Sequence, residues 1–243
     1  MEYYFIAKEK IDTAANEITV DGEEYNHLFR VLRKREGDFI VITDGELNIY
    51  ECRVISSDKT KFKCRIENRK YNLFEPDIDL TLFIAPLRNI SRFEFAVEKA
   101  VELGVKRIQP VSTVHTILKN SFSNTRMDRI RNIIKRATGQ SQRCFLPEFR
   151  NIISFDEMLK ITEGEHNKIA MYEYSDDEAQ IVTDNNSKDF YLLIGPEGGI
   201  SNEEINKLTL SNWKFKSLGE RKIRSETAAI VSVFKIITNK NYK

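Results

Sequence analysis

Between Phe190 and Thr227 the sequence twice runs a short apolar segment into a glycine-bearing loop and then into a helix start. Phe190 to Ile194 is the pattern of a strand buried on both faces. It stops at Gly195-Pro196-Glu197-Gly198-Gly199, where glycine lets the backbone take positive φ and approach a ligand closely. Ser201 and Glu204 then have capping-box spacing, which predicts a helix start. The second junction follows the same plan. Lys214 to Leu218 reads as a strand, Gly219 breaks it, and Ser225 caps a long apolar helix. Two such loops at the carboxyl ends of neighbouring strands form a crevice of the kind where α/β folds bind ligands. Taken singly, Gly-Pro-Glu-Gly-Gly reads equally as a plain turn with Glu197 solvated; the pairing favours a ligand without naming it.

Upstream, Glu75-Pro76-Asp77 reads as a linker, and from Leu80 strands and helices alternate. Leu80 to Ala85 is a strand closed by Pro86. Arg92 to Leu103 is a helix with Phe93, Ala96, Val97, Ala100 and Leu103 at helical spacing and Gly104 as its stop. Arg107 to Val111 is the next strand. Asn124 to Gln142 is a second helix, turning Met127, Ile130, Ile133, Ile134 and Ala137 inward. Ile169 to Tyr172 is a further strand, followed by acidic Asp176-Asp177-Glu178 and polar Asp184 to Ser187 loops. The last helix, Glu226 to Asn239, is apolar nearly all round, so it is expected to be buried in the core or in a subunit interface.

The first 70 residues are β-rich instead. Ile18-Thr19-Val20 precedes Asp21-Gly22, Phe39 to Thr43 precedes Asp44-Gly45, and Ile49 to Ile55 and Phe62 to Ile66 alternate, which suggests a small barrel or sandwich. One amphipathic helix, Glu23 to Lys34, interrupts them, with Tyr25, Leu28, Phe29 and Leu32 as its apolar face. Arg30, Arg33, Lys34 and Arg35 cluster on or beside it, and Arg65, Arg69 and Lys70 follow. In the Asn124–Gln142 region Arg126, Arg129, Arg131, Lys135, Arg136 and Arg143 stand against Asp128 alone. Such clusters read either as solvated faces or as phosphate-binding surface giving salt-sensitive RNA affinity.

A net charge of +1 means that nucleic-acid binding rests on these local clusters and not on overall charge. Cys52, Cys64 and Cys144 have no metal-like spacing and read as inert thiols of a reducing, cytoplasmic setting; His27, His115 and His166 suggest no metal site. No apolar run approaches a membrane span, and the first residues lack the pattern of a secretory signal. The triphosphate-binding, dinucleotide-binding and serine-hydrolase loop motifs are absent.

Ile194-Gly195-Pro196-Glu197-Gly198-Gly199-Ile200-Ser201 resembles the signature of the RsmE family, bacterial 16S ribosomal RNA (uridine-N3) methyltransferases of the knotted SPOUT class. Leu218-Gly219, Arg221, Ile223-Arg224 and Glu226-Thr227-Ala228 resemble its second motif. His27-Leu28 with Val31-Leu32-Arg33, Glu98-Lys99-Ala100 with Glu102-Leu103-Gly104-Val105, and Gln140-Ser141 with Arg143 extend the resemblance over nearly the whole chain. It implies an α/β fold: a PUA-like RNA-binding β-barrel over 1–72 and a SPOUT-type α/β knot methyltransferase domain over 76–243 that dimerises and binds S-adenosylmethionine.

By the same resemblance, Ile194, Gly195, Pro196, Glu197, Gly198, Gly199, Leu218, Gly219, Ile223 and Thr227 would hold the cofactor, with Tyr172 closing the pocket. Arg224 would contact RNA or stabilise charge growing at the uridine, and Glu226 is the candidate base or, alternatively, a structural charge at a helix start. His27, Arg30, Arg33, Lys34, Arg129, Arg136 and Arg143 would dock 16S rRNA of the small subunit; no metal is implied. Departures from the family pattern are Glu220, Lys222, His115-Thr116 and Arg136-Ala137-Thr138-Gly139-Gln140, the last without two usual carboxylates. They motivate an alternative, a non-catalytic RNA-binding or ribosome-assembly factor; a small-molecule α/β enzyme is the other.

Overall fold

The structure, a computed structural model, describes residues 2–118, 121–175 and 187–241. The loop expectations at Asp176-Asp177-Glu178 and 184–186 lie outside these residues. The chain divides into two compact units, Met1–Glu75 with Lys135–Leu146, and Pro76–Ile134 with Pro147–Lys243.

The first unit is built on strands β1 (Tyr3–Phe5), β2 (Ile11–Asp12), β3 (Glu17–Asp21), β4 (Phe39–Thr43), β5 (Asn48–Ser57) and β6 (Lys61–Tyr71). They form one sheet in the order β1-β4-β5-β6-β3-β2. β1 joins β4 in parallel, and the other pairs are antiparallel. The alternation of β5 and β6 turns Tyr50, Cys52, Val54, Phe62, Cys64 and Ile66 into one apolar cluster, which Ile18, Val20 and Ile40 complete. Asp44 secures the β4–β5 turn by accepting from the Glu46 amide at 2.8 Å and from Asn48 Nδ2 at 2.7 Å.

The helix expected over Glu23–Lys34 is broken in two. α1 covers Gly22–Asn26, and a π-helical turn follows at His27–Val31. The Leu32 amide reaches back to the His27 carbonyl at 3.1 Å, and Arg33 then leaves with φ of 56°. The wide turn carries the chain away from the core after Leu28, so Leu32 is 42% exposed and not part of the apolar face. Tyr25 and Leu28 are buried as expected.

The segment from Lys135 to Leu146 completes this unit through Glu75. The Glu75 carboxylate accepts from Arg143 Nη2 at 2.6 Å, from Arg143 Nε at 3.1 Å and from the amides of Cys144 and Phe145. Gly139, in the stretch that departs from the resembled pattern, lies under β1. A Cβ there would sit 2.3 Å from the Tyr3 carbonyl oxygen, so a side chain would force the backbone to shift.

The second unit alternates β7 (Asp79–Ile84), α2 (Ile90–Glu102), β8 (Arg107–Ser112), α3 (Asn124–Gln140, whose last residues belong to the first unit), β9 (Glu148–Phe149), β10 (Ile153–Ser154) and α4 (Phe155–Ile161). β11 (Lys168–Met171), β12 (Asp189–Ile194), α5 (Asn202–Leu210), β13 (Lys214–Lys216) and α6 (Ser225–Asn241) follow. The sheet order is β10-β8-β7-β12-β11-β13, with β9 also beside β8. Every pair is parallel. α4 was not anticipated, although Ser154 and Glu157 form a full capping box at its start.

β12 lies between β7 and β11, with Phe190, Leu192, Leu193 and Ile194 buried, as a strand covered on both faces must be. β12 and β13 are not neighbours as the paired loops suggested. β11 separates them, and this brings its own carboxyl end between the two loops. α6 packs on α2, β7 and β12 and buries Ala229, Val233, Ile236 and Ile237. It is not enclosed all round: Phe234 is 51% exposed, and Phe95 of α2 is 47% exposed.

Candidate active site

The glycine loop after β12 is held open by its own turn and by its neighbours. The Gly199 amide donates to the Pro196 carbonyl at 2.9 Å, and Gly199 takes a φ of 75° that only glycine adopts without strain. Glu197 turns its carboxylate to the loop after β7, accepting from the Arg88 amide at 3.0 Å. Gly198 lies against His115; a Cβ on this glycine would come within 3.0 Å of His115 Cβ. His115 Nδ1 is 3.2 Å from the Gly199 carbonyl oxygen.

Glu204 ties the same region to α5. Its side chain is buried and closes the capping box with Ser201, accepting from the Ser201 amide at 3.0 Å. Its other oxygen accepts from the Val114 amide at 2.8 Å, which anchors the His115 turn. The loop after β13 bends where Ser217 Oγ accepts from the Gly219 amide at 3.2 Å and Gly219 takes a φ of 102°.

These loops and the end of β11 enclose a cavity of ≈ 680 Å³ within the second unit. Ile194, Gly195, Pro196, Glu197, Gly198, Gly199, Leu218, Gly219, Ile223 and Tyr172 all line it, as do Arg224 and Glu226. Thr227 does not; it is exposed on the first turn of α6. Tyr172 is steadied by Tyr174 and Phe215, with ring centroids 5.5 and 5.8 Å away. Arg92, Arg221 and Lys222 also line the cavity. Arg92 was missed because it reads as the solvated start of a helix; only folding brings α2 beside α6. Glu226 is buried, with Oε1 3.7 Å from Arg92 Nε and Oε2 without a hydrogen-bond partner.

The basic residues expected on RNA-facing surface are distributed differently. In the first unit Arg30, Arg33 and Arg136 are exposed, His27 is half-buried, and Lys34 donates to the Phe39 carbonyl at 3.1 Å. In the second unit Arg129 grips the buried Glu94 at 2.7 and 2.9 Å while its side chain stays 68% exposed. Arg143 is a correction. It is 4% exposed and bound to Glu75, so its charge is consumed inside the first unit and cannot meet RNA. Among the described residues no cluster of His, Cys, Asp or Glu is arranged to hold a metal, and no helix is long and apolar enough to cross a membrane.

A parallel sheet with glycine loops and converging basic residues at its carboxyl edge is an α/β ligand-binding arrangement, and the family matches that follow make it an RNA methyltransferase of the SPOUT class. Residues 74–237 match the RNA methyltransferase domain model, and residues 20–67 match the RNA methyltransferase PUA domain model. The chain belongs to the ribosomal RNA small subunit methyltransferase E family. It is 31% identical to that protein of Mesomycoplasma hyopneumoniae over 97% of this chain and 99% of the relative. Identity to the Bacillus subtilis protein of the same name is 28%, over 96% of this chain and 94% of that one. The same fold occurs in the methyltransferase E of Neisseria gonorrhoeae bound to S-adenosyl methionine, at TM-score 0.86 and 24% identity over 98% of both chains.

Proposed function

We propose that this protein methylates N3 of a specific uridine in 16S rRNA of the small ribosomal subunit, taking the methyl group from S-adenosylmethionine. The observation that carries this reading is the cavity itself: two glycine loops, a flanking tyrosine and five basic residues around a buried carboxylate. Its ≈ 680 Å³ falls in the usual range for a small-molecule site, and backbone of Gly195–Gly199 offers the close approach an adenosyl group needs. Bound there, S-adenosylmethionine supplies a methyl group already activated by its sulfonium.

The protein's own residues then have to bind and orient. Ile194, Gly195, Pro196, Glu197, Gly198, Gly199, Leu218, Gly219 and Ile223 hold the donor, and Tyr172 covers it. Uridine N3 is normally paired, so the base must be presented unpaired or flipped out. Arg224, exposed at the cavity, meets the charge that grows on the base as its proton leaves. An Arg224→Ala variant with full activity and full RNA affinity would remove that role.

The β-rich 1–72 region is the RNA-docking domain in this reading, using His27, Arg30, Arg33 and Lys34, and 76–243 is the catalytic domain. Arg129 and Arg136 add phosphate contacts. The protein works in the cytoplasm as a homodimer, for which the exposed Phe95 and Phe234 on the packed pair α2 and α6 are the natural seam. The catalytic domain carries the knot of its class.

The deciding experiment incubates the protein and labelled S-adenosylmethionine with small subunits that lack the modification, followed by nucleoside analysis. The expected product is 3-methyluridine. Absence of transfer to subunits that a proven enzyme does modify would leave a non-catalytic RNA-binding protein.

A further inference from the structure

Glycine gives the loop after β12 its close approach and leaves it loose in the same measure, because a peptide next to glycine flips with little steric resistance. One of the two peptides at Gly199 is tied down within the loop, where the Gly199 amide donates to the Pro196 carbonyl at 2.9 Å. The next, Gly199–Ile200, has its carbonyl oxygen 3.2 Å from His115 Nδ1. Both residues of that peptide line the cavity, so a flip would exchange a carbonyl for an amide in its wall. Whatever holds this peptide therefore bears on what the cavity binds.

His115 is exposed, yet it stands on a built turn. The Thr113 and Thr116 hydroxyls lie 2.8 Å apart, and both residues are buried. The Thr113 amide donates to Thr116 Oγ1 at 2.9 Å, the Thr116 amide to the Thr113 carbonyl at 3.2 Å, and the Val114 amide to buried Glu204 at 2.8 Å. The imidazole lies against Gly198, which has no side chain to push it off: a Cβ there would come 3.0 Å from His115 Cβ and 3.4 Å from its Cγ. An exposed hydrogen bond ordinarily gains little, because water competes for both partners. Here the turn has already ordered the donor, so that cost does not recur when the bond forms.

We infer, on the S-adenosylmethionine reading above, that His115 is a positioning residue for the methyl donor. Its Nδ1–H latches the Gly199 carbonyl and holds the Gly199–Ile200 peptide in the orientation that the donor requires. His115 is not part of the cavity wall, so it acts through that peptide. A carbonyl oxygen only accepts, and Nδ1 must therefore carry a proton. In the neutral ring this fixes the Nδ1–H tautomer and leaves Nε2 as a bare acceptor. Free histidine favours the opposite tautomer, so the latch has a signature that a solvated histidine lacks.

The test begins with the tautomer, in the full-length protein without ligand. The sequence holds three histidines, His27, His115 and His166, so nitrogen-15 correlation spectra at about pH 8, above the usual histidine range, separate the rings. The signals lost in His115→Asn belong to His115, and Nδ1 should be its protonated nitrogen. Calorimetry then compares affinities for S-adenosylmethionine. His115→Ala should bind about fivefold more weakly than the parent, the scale of one neutral hydrogen bond. His115→Asn keeps an N–H as many bonds from the backbone as Nδ1, and should stay within about twofold of the parent. His115→Gln carries its amide one bond further out and should bind as weakly as His115→Ala.

A His115 ring protonated at Nε2 and bare at Nδ1 would overturn the proposal, as would full affinity in His115→Ala. Equal weakening by all three substitutions, with unchanged thermal melts, would also overturn it and assign the effect to packing of the ring on Gly198. If His115→Ala melts early, the Asn and Gln variants carry the comparison, and equal affinity of these two would overturn the latch. Failure of the parent itself to bind S-adenosylmethionine removes the cofactor reading and the latch's purpose together, whereas the wrong tautomer removes the latch alone.

Discussion

Glu75 shows how far a residue's role can lie from its sequence neighbourhood. In a linker-like Glu-Pro-Asp it looks solvated, yet its side chain is 1% exposed and faces Arg143, 4% exposed. Removing one member of a buried pair costs about 3–5 kcal/mol, so Glu75→Ala should lower urea-unfolding stability by that order. The cysteines were legible as inert. Cys52 and Cys64 are buried, and burial pushes both thiols up to about 12 from an ordinary 9.0; that of Cys144 rises to about 11. Because the folded values lie above the unfolded one, their stabilising contribution is complete below pH 9.0 and is lost as pH rises toward 11 to 12. A pH series of unfolding free energies should fall across that window, and replacing Cys52 and Cys64 by alanine should flatten the fall.

At the scale of elements, helix starts were the easiest features to read, because a cap is a local hydrogen bond. Ser201 and Glu204 form the expected box at α5. What no local pattern reveals is that Glu204 also holds the Val114 amide, fastening the His115 turn beside the glycine loop. Glu204→Ala should therefore cost more than a cap, which alone is about 1 kcal/mol. It should also weaken S-adenosylmethionine binding, whereas Ser154→Ala, at the equivalent cap of α4, should leave calorimetric affinity untouched. The Glu23–Lys34 stretch failed as a single helix for the complementary reason. Its period is helical throughout, but burial of Leu28 followed by the Arg33 turn is decided by the sheet it packs on.

For the whole molecule, RNA affinity should fall with rising salt, and the Arg30, Arg33 and Lys34 alanine variants should each make the logarithmic salt slope shallower by about 1, because each leaves one phosphate with its counterion. Salt-insensitive binding would count against phosphate docking. Sedimentation should show a dimer that Phe234→Asp converts to monomer; an unchanged dimer would move the interface elsewhere. The sequence by itself determined the α/β class, the β-rich start, both glycine loops and the family, because each rests on local period, loop chemistry or an ordered set of motifs. Only the tertiary structure decided that β11 enters between β12 and β13, that Arg92 meets Glu226, and that Arg143 is withdrawn from the surface. These depend on which strands pair and which helices cross, and no stretch of chain encodes the position of a partner distant in sequence; packing of the apolar cores selects it.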